Sequence, residues 1–522
     1  MRASLALWAL MCGTACRSKP TAGGPTTVTP DSSAASDTGA DTAEPEETGD
    51  PSPDTASPDT GDTGDTGDTG DTGTVEPGEL GEWVGTATHD EPGANGGFRV
   101  ADALRAHGGA SDLVIAAPTT STHHPMGGMI FVFPGATMVD ELALSTAPLQ
   151  IHSVGGLDYL GHGISACDLD GDGLPELVAG APGQSSGAAS AGTIYVLDLP
   201  SAGLRAANES AHQIVGTQAL AQLGSQTACQ AAGEGGAGWF AAAASNATTT
   251  ETQAGMVLLF RGGRTGLEED SSATARIEGD AQGQYLGAAL ATGDVNGDGI
   301  PDLVLGGSGE GMGADGASVG AVILGPIAGL MSVADADQRY GEASPMDRMG
   351  NTAATGEDMD GDGYADIALA AYWDSATGDR SGAVYVLRGG PLGPGTLTEA
   401  AAIIQGTHEY AYAGISVDWL RDADGDGKAD LAVGEYGRGI DGDPEADRVG
   451  AAHLFTQTLD GVLSTGEADL TLEGTEPGAA FGYALAGVLD ADMDGRSDLL
   501  VGAYQARDNA GEVRLFSGGD PR

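Results

Sequence analysis

Between residues 81 and 519 the chain alternates short apolar runs with polar, glycine-rich turns. Runs of about four to eight residues bounded by Gly and Asp predict strands rather than helices. In one stretch they are Met349 to Gly356, Ile367 to Tyr372, Ala383-Val-Tyr-Val-Leu387 and Ala402-Ile-Ile-Gln405. The last of these recurs as Gln213-Ile-Val-Gly216, Arg276-Ile-Glu-Gly279 and Thr471-Leu-Glu-Gly474. Four short strands per unit, joined by Gly-rich turns, predict the blade of a β-propeller.

The turn between the first and second strands breaks the pattern most sharply. Asp168-Leu-Asp170-Gly-Asp172-Gly-Leu-Pro-Glu176 crowds four acids into nine residues. A bound divalent cation stabilises that arrangement, and Ca²⁺ suits it because Ca²⁺ takes six to eight hard oxygens in a flexible geometry. Gly171 and Gly173 let alternate side chains converge on one point. The stretch recurs at Asp294, Asn296, Asp298 and Asp302; at Asp358, Asp360, Asp362 and Asp366; and at Asp422, Asp424, Asp426 and Asp430. A fifth copy, Asp490, Asp492, Asp494 and Asp498, has Met493 in place of the first glycine. An EF-hand needs a bidentate acid at position twelve and flanking helices. Position twelve here is Ala179, Leu305, Leu369, Val433 or Val501, inside an apolar run, so the EF-hand is excluded.

Aligning the runs that follow the loops adds two degenerate units, because Asp112-Leu-Val-Ile-Ala-Ala-Pro118 and Trp239-Phe-Ala-Ala-Ala occupy the same place. Loop starts then fall at 104, 168, 230, 294, 358, 422 and 490, a period of 62 to 68 residues. A fixed period of this kind decides the architecture. Seven units are predicted, the last ending after its third strand at Val513-Arg-Leu-Phe516, and Glu82-Trp-Val-Gly-Thr86 supplies the missing fourth. Such closure removes free sheet edges.

Tyr159-Leu-Gly161, Tyr285-Leu-Gly287 and Phe481-Gly482 ahead of the loops, with Gly180-Ala-Pro182 after one, resemble FG-GAP repeats. That family forms the seven-bladed β-propeller of integrin α-subunits and of many bacterial secreted proteins. The resemblance covers residues 81–519 and implies an all-β fold with Ca²⁺ in the hairpin between the first two strands of a blade. By position it assigns the ligands to Asp168, Asp170, Asp172, the Leu174 carbonyl and Glu176. It does the same for Asp294, Asn296, Asp298, Ile300 and Asp302; Asp358, Asp360, Asp362, Tyr364 and Asp366; Asp422, Asp424, Asp426, Lys428 and Asp430; and Asp490, Asp492, Asp494, Arg496 and Asp498. About five ions are expected. Blades one and three have Leu104, Ala106 and Gly108, and Gln230, Ala232 and Glu234, so no ion is expected there. No leg-like domains or membrane helix follow, so transmembrane signalling is not expected.

Composition narrows the partners. The 76 acidic and 21 basic residues give a net charge of −55, which excludes nucleic acid, since phosphate binding needs a basic face. It also argues against docking on anionic lipid. Residues 1–16 read as a secretory signal: Met1-Arg2, an apolar core from Ala3 to Met11 too short to span a bilayer, then small residues. Cys16 after Ala15 looks like the lipidated cysteine of a bacterial lipoprotein, which implies an outer-membrane lipoprotein. An ordinary cleaved signal and a secreted protein is the other reading. Residues 17–80 have almost no large apolar side chain and are predicted to be a disordered, charged tether. The Asp-Thr-Gly triplets from Asp59 to Gly73 match an aspartic protease signature only in spelling, because that chemistry needs buried apolar loops.

No Gly-x-Ser-x-Gly elbow appears, and His123-His124 lacks a His-Glu-x-x-His context. His162 falls on an innermost strand, where it would line the central channel. A monomeric binding or adhesion scaffold for an extracellular or envelope protein or glycan is the expected function. The alternative is a propeller-based polysaccharide lyase or hydrolase. Cys167 and Cys229 directly precede loop positions in consecutive units, which makes a disulfide between blades two and three plausible in an oxidising compartment, against two buried thiols. Finally, Tyr372, Tyr436 and Tyr504 stand six residues after the last loop acid of three adjacent blades. With Trp373, and with Tyr410 and Tyr412 from the neighbouring loops, they form a candidate partner-contact arc on the face opposite the ions; strand-capping tyrosines are the plainer reading.

Overall fold

The structure, a computed structural model, describes residues 80–103, 110–137, 140–233, 237–309, 318–341, 347–392, 395–439 and 448–519. The signal, Cys16, the tether up to residue 79, the degenerate loop at Leu104, Ala106 and Gly108, and Glu234 lie outside the described residues. No helix among the described residues is long and apolar enough to cross a membrane.

Seven antiparallel sheets form the blades. Their innermost strands are Arg99–Asp102, Ile164–Cys167, Leu223–Gln230, Leu286–Gly293, Met349–Thr355, Val417–Leu420 and Phe481–Val488. Each innermost strand touches those of both neighbouring blades, so the seven close a ring. The second strands read as unbroken apolar runs because both faces are covered: Asp112–Ala117, Glu176–Ala181, Asp302–Gly307 and Asp498–Ala503 are buried along their whole length. Apolar clusters fill the gaps between blades. One joins Leu113, Ile115 and Phe131 of blade one to Leu500, Val513 and Leu515 of blade seven.

Closure follows the sequence reading. Trp83–Thr88 pairs antiparallel with Glu512–Phe516, completing blade seven with a strand from the other end of the described chain. The structure adds a layer that four-strand counting missed. In five sheets the segment just before a blade's fourth strand pairs, in parallel, with the fourth strand of the preceding blade. Gly203–Ala206 of blade two thus covers Leu149–His152 of blade one, and Asp140–Ala143 of blade one covers Trp83–Thr88. At blade six Leu80 is buried against Leu470 and Leu472 instead. These segments are only four residues long and mostly exposed, which hides them from a periodicity argument.

At the channel the blades approach backbone to backbone. A Cβ on Gly306 would run into the carbonyl oxygen of Gly350 on the next blade, and one on Gly434 into that of Gly482. Backbone on both sides leaves little room to relax. Gly306→Ala should therefore destabilise the protein by about 1–3 kcal/mol, as overpacking does. Gly341→Ala, which meets nothing within 4 Å, should stay within about 0.5 kcal/mol. Equilibrium denaturation of the two variants checks this, and equal stabilities would contradict the close-packed channel.

Candidate metal centres

Four of the five acid loops share one local design. In blade two both oxygens of Asp168 accept backbone N–H groups, from Gly171 at 2.6 Å and Gly173 at 2.9 Å. Asp170 accepts from Asp172 and Asp172 from Leu174, at 3.1 and 2.8 Å. These bonds curl the loop and keep the carboxylates on one side, with Gly171 and Gly173 in the left-handed region at φ 84° and 89°. The pattern repeats around Asp294, Asp358 and Asp422. In the blade-seven loop Met493 itself adopts φ 68°, where the other loops have glycine.

The last acid of each loop starts the second strand and is drawn inside. Asp302, Asp366, Asp430 and Asp498 are at most 1% exposed, and Glu176 is 8% exposed. Each accepts an N–H from the residue seven before it: Leu169, Val295, Met359, Ala423 or Ala491, at 2.5 to 3.0 Å. In three blades the other oxygen is held by Gly325, Gly389 or Gly518. Burial, reinforced by the neighbouring acids, pushes these carboxyls upward: Glu176 and Asp430 to about 7, Asp366 to about 6 and Asp498 to about 8, with Asp302 raised too.

The first, second and last acids of blades two, five, six and seven each bring one oxygen within 4.8 Å of the others. In blade four the second ligand is neutral Asn296, but the backbone bonds are the same. The donor set is hard oxygen throughout, which fits Ca²⁺ and disfavours soft-ligand metals. Asp430 Oδ1 and Asp490 Oδ1 are buried without a hydrogen-bond partner among the described residues, as a carboxylate oxygen reserved for a cation would be. These clusters could therefore hold divalent cations. At the seventh position stand Leu174, Ile300, Tyr364, Lys428 and Arg496, none of them a carboxylate, and their N–H groups bond the third residue of each ligand set. Any ligand there must be the carbonyl. Two arginines temper the repulsion: Arg388 pairs with Asp360 Oδ2 at 3.1 Å, and Arg496 reaches the Asp424 carbonyl of blade six.

A feature invisible in the sequence joins the loops. The backbone carbonyl of each first acid accepts an N–H from the next blade: Asp168 from Ala232, Asp294 from Ala365, Asp358 from Ala429, Asp422 from Ser497 and Asp490 from Ser111. Blades two and three carry a covalent joint as well, since Cys167, adjacent to Asp168, is bonded to Cys229 with the Cα atoms 6.1 Å apart.

On the opposite face the aromatic residues run in one file. Ring centroids step from Trp373 to Tyr372 (6.2 Å), Tyr412 (6.3 Å), Tyr436 (5.0 Å), Tyr483 (5.7 Å), Tyr504 (4.3 Å) and Phe98 (5.8 Å). The arc is real, but its composition corrects the expectation. Tyr372 and Tyr504 are only 5% and 8% exposed, packed on Tyr412, Tyr483 and Phe98, so they belong chiefly to the packing. Trp373, Tyr410, Tyr436 and Tyr483 are half-buried and reach solvent. Trp373 lies between the guanidinium groups of Arg348 and Arg380, at 3.3 and 4.0 Å. Tyr412 precedes the innermost strand Val417–Leu420, and Tyr483, which the sequence reading did not include, lies in Phe481–Val488. His162 bonds the Ser225 carbonyl beside Phe98, and burial lowers it to about 4, so it is neutral. Of the 440–447 stretch of the blade-six connection, expected on this face, nothing is described.

The FG-GAP repeat model matches residues 160–197, 286–324, 349–387 and 481–516, which are blades two, four, five and seven. The chain is 30% identical to integrin alpha-PS2 of Drosophila melanogaster over 248 residues, 45% of this chain and 16% of that protein. It is 30% identical to integrin alpha-IIb of Homo sapiens over 258 residues, 48% of this chain and 22% of that one. The chain thus spans less than a quarter of the length of these relatives.

The raised acids fix the sign of a pH dependence. Each keeps its proton to higher pH folded than unfolded, so without a cation the folded state loses stability as pH rises from the ordinary carboxylate range towards about 8. A cation requires the ionised form and opposes that loss. In excess chelator the melting temperature should fall between about pH 5 and about pH 8. With Ca²⁺ the fall should vanish, and the increment due to Ca²⁺ should be largest at the upper end. A Ca²⁺ increment independent of pH would contradict the assignment of the buried acids.

Proposed function

Because this chain is an integrin α-like propeller of FG-GAP repeats, we propose that it is a Ca²⁺-stabilised, non-enzymatic binding or adhesion scaffold for an extracellular or envelope protein or glycan. In this reading about five Ca²⁺ ions occupy the loops of blades two, four, five, six and seven. Residues 1–16 export the chain, Cys16 carries a lipid anchor at the outer membrane, and residues 17–80 hold a monomeric propeller away from the surface. The ions rigidify one face and leave the other for the partner.

The observation that carries the reading is the division of chemistry between the two faces. Second-to-third connections emerge opposite the acid loops, and there Trp373, Tyr410 and Tyr436 meet Arg348, Arg380 and Arg448. Half-exposed aromatic rings and arginines held in place by stacking are the side chains that dominate recognition surfaces. In a protein of net charge −55, three arginines gathered on one face also stand out against the surrounding charge.

Elemental analysis of the full chain should find about five Ca²⁺ per protein; fewer than three would overturn the loop assignment. Immobilised full chain, screened in Ca²⁺ against panels of glycans and extracellular proteins, should retain a ligand without consuming it. Trp373→Ser with Tyr410→Ser should lower that retention about tenfold or more while leaving Ca²⁺-dependent melting intact. Turnover of a polysaccharide would replace the scaffold reading with the lyase or hydrolase one.

A further inference from the structure

The acid loops do not all meet their neighbours in the same way. In each, the first acid's carbonyl accepts an N–H from the next blade, but two of the junctions carry more. Between blades four and five, the Gly389 N–H, just past the third strand Ala383–Leu387, bonds Asp366 Oδ1 at 2.9 Å. The next peptide, Gly390, donates to the Val295 carbonyl of blade four at 2.7 Å, and the Val295 N–H bonds Asp302 Oδ2 at 3.0 Å. One run of peptides thus leads from the buried last acid of loop five to that of loop four. Between blades six and seven the run is the same. Gly518 N–H bonds Asp498 Oδ1 at 2.9 Å, Gly519 N–H bonds the Ala423 carbonyl at 2.8 Å, and Ala423 N–H bonds Asp430 Oδ2 at 2.5 Å.

A side chain reinforces each of these two junctions. Tyr364 of loop five lies over Gly297 of loop four, in the space a Cβ would take, and Arg496 of loop seven lies over Gly425 of loop six. The junction between blades five and six has neither contact. There the equivalent strand end turns to Asp469 through the Thr456 N–H at 2.9 Å. Asp430 Oδ1 meets no hydrogen-bond partner among the described residues, and nothing lies within 4 Å of where a Cβ on Gly361 would stand. Towards blade three the run from Asp302 stops as well. Gly325 holds Asp302 Oδ1, but the next residue is Pro326, which has no N–H to continue it. Blade two stands between two blades whose loops lack the acids.

We propose, on the reading that these loops hold Ca²⁺, that the ions load as two coupled pairs, blade four with blade five and blade six with blade seven, while blade two loads alone. An ion in loop five immobilises the Asp366 carboxylate, and with it Gly389, Gly390, the Val295 peptide and Asp302. The second ion then finds its last ligand already placed, so less ordering entropy opposes its binding. Coupling of this kind is reciprocal, each loop of a pair raising the affinity of the other by the same factor. Paired loading consolidates blades four to seven over a narrower range of free Ca²⁺ than independent sites would.

The test is Ca²⁺ uptake by the full chain at controlled free Ca²⁺, counted as ions per protein. Asp492→Ala and Asp360→Ala should each bind one ion fewer than the parent at saturation. In each, the partner loop should also load only at about tenfold higher free Ca²⁺. Asp170→Ala should likewise bind one ion fewer, with every remaining ion loading as in the parent. Gly519→Pro removes the N–H that reaches Ala423 but no ligand; it should bind as many ions as the parent, with loops six and seven now independent. Coupling retained in Gly519→Pro would overturn the peptide run as its route. If all three ligand variants leave the remaining ions loading as in the parent, the coupling is overturned and the Ca²⁺ reading stands. No uptake by the parent would overturn both.

Discussion

Each acid loop is both a candidate cation site and a joint, because the residue that opens it turns its carboxylate into the loop and its carbonyl to the next blade. Whatever fixes Asp168, Asp294, Asp358, Asp422 or Asp490 therefore fixes an inter-blade contact. Left to themselves, three or four carboxylates per loop repel and their buried members resist ionisation, so the joint is strained where the ring needs it firm. A cation reverses both effects at once. Blade three lacks the acids, and on its blade-two side the Cys167–Cys229 bond holds the same junction by covalent means.

The opposite face is tied differently. There the glycine crossings at the channel bring backbones together, and a file of aromatic rings from Trp373 to Phe98 bridges blades five, six, seven and one. Rings buried in that file support the ones at its edge. A recognition surface built this way is rigid, which limits the ordering entropy that a partner must offset on binding.

Much of this was legible in the sequence, and the reasons are local. The acid loops announce themselves because carboxylates crowded at fixed spacing repel one another unless a cation lies between them. The blade period follows from apolar second strands that are buried on both faces. Closure by Glu82 to Thr86 was readable because that strand resembles the other fourth strands. The covering strands were not: Gly203–Ala206 and its equivalents are four residues long, half polar and paired with another blade. That Tyr372 and Tyr504 pack as strand-capping tyrosines do was one of two readings of the sequence, and only tertiary contacts decide it and add Tyr483 between Tyr436 and Tyr504.

The ring closure has a consequence for how the molecule comes into being. Trp83–Thr88 leaves the ribosome long before its antiparallel partner, Glu512–Phe516. Until that partner is made, the edge of Trp83–Thr88 that it will cover stays unpaired. Such an edge invites two chains to join one another instead of closing on themselves. Strong negative charge on every copy, uncompensated until the ions bind, keeps nascent molecules apart during that interval. The acids that could seat cations in the closed ring would thus act first as a repellent, separation before consolidation.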